Sequence, residues 1–151
     1  MANEAKWVYT GVTTLESNGI SAANAAFMPA TDAAFTSAAH SGYVYADFAL
    51  MVSGFASSLA TTGSLGLALW RRDINIDGTL DEGVPSANLK AHFAGYFTMP
   101  LSGASAAIYN AAVRDVPIYE DQEYYLENLT GQSVAAGWTL KVKAKTFVPG
   151  A

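Results

Sequence analysis

Residues 138–145 read WTLKVKAK, and their alternation decides the fold class. Trp138, Leu140, Val142 and Ala144 fall on one side, Thr139, Lys141, Lys143 and Lys145 on the other. Successive side chains of an extended chain point to opposite faces, so a period of two marks a strand with one dry and one wet side. The run GYVYADFALMV, 42–52, repeats it: Val44, Ala46, Phe48, Leu50 and Val52 lie opposite Tyr43, Tyr45, Asp47 and Met51. SLGLALW, 64–70, groups Leu65, Leu67 and Leu69 and leaves Trp70 out of phase, followed by two arginines. Shorter segments of strand character cover 6–14, 91–99, 105–116 and 122–128.

Turn signals separate these runs at Gly63-Ser64, Asp77-Gly78, Ser102-Gly103, Thr130-Gly131 and Ala136-Gly137. About eight short strands at such spacing predict an all-β, jelly-roll-like sandwich spanning 1–151 as a single domain. Residues 17–41 depart from the pattern. They are alanine-rich and interrupted by Pro29, and they predict a long irregular arm or loop with Phe27, Met28 and Phe35 as apolar anchors. Such an arm either lies across a neighbouring chain or closes one open end of its own sandwich.

Composition points to assembly. Apolar residues make up 51% of the chain and charged residues 14%, against about 25% charged in ordinary soluble domains. So few ionic groups leave apolar surface for another chain to cover. The net charge of −5 and a pI near 4.8 argue against a nucleic-acid binder, which carries a basic face. No run approaches the roughly 18 apolar residues of a membrane helix, and MANEAKWVYTG lacks the apolar core of a secretory signal. Without cysteine, neither disulfides nor thiolate metal sites can form.

Chemistry has few footholds. In DINIDGTLDEGV, 73–84, Asp73, Asn75 and Asp77 alternate and Gly78 follows, as at the start of an EF-hand loop. The twelfth place, where that loop needs a bidentate glutamate, holds Val84, and strand-like sequence flanks the segment. The favoured reading is a structural loop whose Asp, Asn and Gly residues satisfy their own backbone. Asp73, Asn75, Asp77 and Asp81 stay as calcium candidates of a non-helical loop. His40 and His92 have no ligand spacing. Asp115, Glu120, Asp121, Glu123 and Glu127 cluster around IYEDQEYY. Paired carboxylates can hydrolyse glycosides, but charge beside a turn more often guards a sheet edge. No phosphate loop, dinucleotide fingerprint or nucleophile elbow occurs, so nothing indicates an enzyme or a cofactor. Trp7 and Tyr9 share one face of the first strand and, with Trp70, are candidate partner contacts.

The second half of the chain resembles the capsid decoration, or cement, proteins of tailed bacteriophages. The resemblance rests on Arg114-Asp115-Val116-Pro117, on Glu127-Asn128-Leu129-Thr130-Gly131-Gln132, and on the strand opening Gly137 to Lys141. Gly95-Tyr96-Phe97, after the Asp-Gly-rich loop, is similar to that family's middle portion. The resemblance implies a jelly-roll-like sandwich made in the host cytoplasm and carried on the capsid exterior. Its partner would be the major capsid protein, whose subunits it bridges, often as a homotrimer, with no enzymatic role. Trp7, Tyr9, Phe27, Met28, Phe35 and Trp70 are the expected contact residues. The rival expectation is a carbohydrate- or receptor-binding module using exposed aromatics, with the 73–82 loop binding the ion in a calcium-dependent version.

Overall fold

The structure, a computed structural model, describes residues 6–59, 66–90, 92–100 and 104–149. The segment that alternates most strictly becomes its longest strand, β9 (Trp138–Val148). Trp138, Leu140, Val142 and Ala144 are at most 1% exposed, whereas Lys141 lies on the opposite, open side. Before it in the chain come β1 (Lys6–Tyr9), β2 (Thr13–Gly19), β3 (Phe27–Pro29), a single helical turn α1 (Ser37–His40) and β4 (Tyr45–Val52). Then follow β5 (Gly66–Ile74), β6 (His92–Thr98), β7 (Tyr109–Pro117) and β8 (Asp121–Asn128).

All strand pairs are antiparallel and form two sheets. One has the order β2-β9-β4-β7, with β1 continuing the β2 edge along the far end of β9; the other is β3-β8-β5-β6. This interleaving of early and late strands is that of a jelly roll, as the sequence predicts. Leu50, Phe48 and Val52 from one layer and Leu67, Leu69, Leu126 and Phe97 from the other meet in one continuous core. The expected partners Ser64 and Leu65, and the turns Gly63-Ser64 and Ser102-Gly103, lie outside the described residues. Val44 sits one position before β4 and is half exposed, so the buried face of that run begins at Ala46. Among the described residues no helix is long and apolar enough to cross a membrane.

Of the two expectations for 17–41, the structure supports the one that keeps the segment on its own sandwich, and it adds short strands that the sequence reading lacked. Its first residues finish β2, and its middle forms β3 against β8. Two isolated bridges, Ala22 to Val134 and Phe35 to Gln122, tie down the remainder. Met28 and Phe35 are each 1% exposed in this chain's own core, so they cannot anchor to a neighbour. Phe27 is only half-buried and pairs with Glu127 at the sheet edge. The segment crosses between the layers and closes its own sandwich. Its strands escape a periodicity reading because β3 has three residues and β2 shifts register twice.

One glycine is dictated by the core. A Cβ on Gly19 would lie 1.9 Å from the Trp138 ring, whose indole N–H donates to the Ile20 carbonyl at 2.9 Å. The buried ring cannot swing away without losing that bond. Gly19→Ala is therefore expected to cost about 1–3 kcal/mol, the usual penalty for overpacking, read as a lower denaturant midpoint with unchanged slope.

Candidate functional site

The two outer faces of the sandwich differ. The outer face of the β3-β8-β5-β6 sheet is occupied by the chain's own polar and aromatic groups. Trp70 donates its indole N–H to Glu127 at 3.0 Å, Lys90 pairs with the same carboxylate at 2.7 Å, and Phe93 stacks edge-on at 5.4 Å. Arg72 pairs with Glu123 at 2.7 Å, and the Tyr125 hydroxyl donates to Glu123 at 2.9 Å. Trp70 is out of phase with Leu67 and Leu69, as expected, yet it is half-buried and engaged within its own chain.

Among the described residues the outer face of the other sheet is bare, with Trp7, Tyr9, Tyr45 and Phe147 exposed on it. Register places Trp7 opposite Phe147, Tyr9 opposite Lys145, and Tyr45 opposite Lys145 from the other side. Trp7 packs edge-on against Phe147 at 5.5 Å and Tyr45 at 6.2 Å, with the Lys145 ammonium 5.1 Å from its ring. Lys143 sits 4.8 Å from the Tyr9 ring. Trp7 and Tyr9 were legible from phase. Tyr45 and Phe147 were missed, although Phe147 simply continues the wet phase of Lys141, Lys143 and Lys145.

Next to these rings the face is cationic. At the bulge in β7, Arg114 and Asp115 together oppose Asp47, between the pairs Phe48–Val113 and Ala46–Val116. Asp115 adopts φ 60°, its N–H donates to Asp47 at 3.0 Å, and its carboxylate takes Lys145 at 2.5 Å. Lys145 also reaches Asp47 at 2.6 Å. Burial works against charge on Asp47, but the Lys145 hydrogen bond and the Asp115 N–H outweigh it and hold its pKa below the ordinary value. Burial likewise opposes charge on Lys145, and its bonds to Asp115 and Asp47 reverse the effect, raising its pKa. Arg114, Lys141 and Lys143 pair with no carboxylate among the described residues. With Val12, Asp47, Ala49 and Ala112 they line a shallow concavity of about 320 Å³.

The 73–84 loop closes on itself. Asp77 accepts from the Thr79 and Leu80 N–H groups at 3.0 and 2.7 Å, Asp81 from Asn75 N–H at 3.1 Å, and Asp73 from Gln122 at 3.0 Å. These oxygens answer backbone and amide donors and do not converge on one point. The groups that do converge are Asp73, Glu82 and His92, with ligand atoms within 4.8 Å of one another. Glu82 bonds His92 at 2.8 Å and accepts the Asp73 N–H at 2.8 Å, pinning the base of the loop to β5 and β6. Of the IYEDQEYY carboxylates, Asp121 accepts from Ser37 N–H at 2.5 Å, and Glu123 and Glu127 hold Arg72 and Lys90.

Comparison of the chain with protein-family models, with curated proteins and with solved structures finds no match.

Asp47 and Glu82 have lowered pKa values because hydrogen bonds overcome their burial; for Asp121 the Ser37 N–H is the leading cause. Unfolding would release these carboxylates to bind protons more readily. Their contribution is thus present above the unfolded values, 3.8 for Asp and 4.5 for Glu, and is lost as pH falls through the folded ones. The melting temperature is expected to drop on acidification through that range, and Asp47→Asn should flatten part of the acid limb. Addition of millimolar calcium at neutral pH should leave the melting temperature unmoved.

Proposed function

We propose that this protein is a non-catalytic clamp of a bacteriophage head, seated on the capsid exterior through the bare face of the five-stranded sheet. The observation that carries the reading is the aromatic group Trp7, Tyr45 and Phe147, 43%, 36% and 49% exposed side by side on one sheet face. Aromatic rings give large contact area at low entropic cost and dominate protein interfaces. Lys145, held by Asp47 and Asp115, lies 5.1 Å from the Trp7 ring, and a ring already packed on its neighbours loses less freedom when a partner binds. Low overall charge and the decoration-protein resemblance of 114–141 support the same reading. Bridging neighbouring capsid subunits would then add buried area at each junction, repeated over the shell.

A sugar-binding module would present the same rings to a different partner, so polysaccharide is the proper control. The test is co-sedimentation with empty shells assembled from a tailed-bacteriophage major capsid protein. The wild-type protein should pellet with shells and not with insoluble polysaccharide. Trp7→Ala with Phe147→Ala should weaken binding at least about tenfold, the equivalent of about 1.4 kcal/mol, while leaving the melting temperature nearly unchanged. Pelleting with polysaccharide alone, or a double variant that binds shells like wild type, would overturn the reading.

A further inference from the structure

Among the described residues the bare face carries four basic side chains, Arg114, Lys141, Lys143 and Lys145, and two acidic ones, Asp47 and Asp115. A protein of net charge −5 therefore has an excess of positive charge on this face, where Ala49 and Ala112 line the concavity beside Asp47. The loop between β5 and β6 has the opposite character. Its tip holds Asp77 and Asp81, while Ile76 and Leu80 stand 55% and 63% exposed among them.

That tip is already built for contact. Ile76 N–H donates to the Leu80 carbonyl at 3.0 Å and Glu82 N–H to the Asp73 carbonyl at 2.9 Å, so both aliphatic side chains stand on a closed turn. Asp77, bonded by the Leu80 and Thr79 N–H groups, has its pKa lowered and stays ionised at neutral pH. The loop folds back on its own sheet, where Arg72 donates to the Glu82 carbonyl at 2.9 Å, whereas the groove opens on the other sheet. Within one molecule neither Asp77 nor Asp81 pairs with Arg114, Lys141 or Lys143, which leaves the groove open to the loop of another copy.

We propose that the groove over Ala49 and Ala112 receives the 75–82 loop of a second copy of this chain. Ile76 or Leu80 seats against Ala49 and Ala112, and Asp77 and Asp81 meet Arg114, Lys141 and Lys143. Both halves of the contact are complementary in charge and each carries apolar surface at its centre, the arrangement of a specific interface. Because two different patches meet, the contact repeats from copy to copy until it closes into a ring or a reciprocal pair. The inference shares the open sheet face with the proposed capsid contact but uses different side chains, Arg114, Lys141 and Lys143 against Trp7, Tyr45 and Phe147.

Light scattering of the purified full chain tests it. At low salt the mass should be a multiple of 15.8 kDa. It should fall to the monomer at about 1 M salt, where charges are screened within about 3 Å. Lys141→Glu with Lys143→Glu should be monomeric at low salt, and so should Ile76→Lys with Leu80→Lys; all four positions are solvent-facing, and both variants should melt like wild type. Mixing the two should restore association, because the native loop of the first fits the native groove of the second. The proposal is overturned by a wild-type chain that stays monomeric at low salt up to its solubility limit. Oligomers indifferent to both variants, or a mixture that stays monomeric, would overturn it equally. A monomer that still pellets with capsid shells removes this contact and leaves the clamp reading intact.

Discussion

The pairing of β9 with three other strands is the constraint on which the rest depends. It bonds β1 and β2 along one edge and β4 along the other, so the whole first layer hangs from it. Its dry side chains build the core, and its lysines furnish the cationic face. A slip of one residue would exchange the two, burying Lys141 and Lys143 and exposing Trp138 and Leu140. The fit of the Trp138 ring over Gly19 opposes that slip, because no other residue of β2 leaves room for an indole at that register.

The motifs behind the decoration-protein resemblance turn out to be architectural. Asn128, fully buried, donates to the Ala22, Ala23 and Gln132 carbonyls and accepts from Thr130, tying the layer crossing to the end of β8. Arg114-Asp115 forms the bulge that turns both residues toward the open face. Gly137, at φ 90°, turns the chain into β9. Lys145 adds a cost that its setting must meet: a nearly buried ammonium is tolerated because Asp47 and Asp115 both reach it.

Where alternation was regular, the sequence was readable. β4 and β9 follow their phases, and Trp138 fell inside while Trp7 and Tyr9 faced out; β5 instead buries Ala68 along with Leu67 and Leu69 and shifts register at Trp70. The crossing at 17–41 was not, because a three-residue strand has no period and the two shifts in β2 break the one it has. Met28 and Phe35 consequently looked like external anchors when they are core. The groove was invisible for a different reason. Arg114 reaches Lys141 and Lys143 only through strand pairing far apart in sequence, and two alanines leave a concavity solely by being small beside them. The approach of His92 to Asp73 and Glu82 likewise depends on β5–β6 register and not on spacing along the chain.

The split between β1 and β2 gives the sandwich a weak seam and a strong one in series. β1 contributes four rungs whose side chains are mostly solvated, while β2 locks Leu15 into the interior and Gly19 beneath the indole. Tension drawn through the polypeptide ahead of Lys6 would therefore unzip the ladder as far as Thr13 and stall there. Under such a load the first strand would open before the body of the protein, as local opening begins where few side chains are buried.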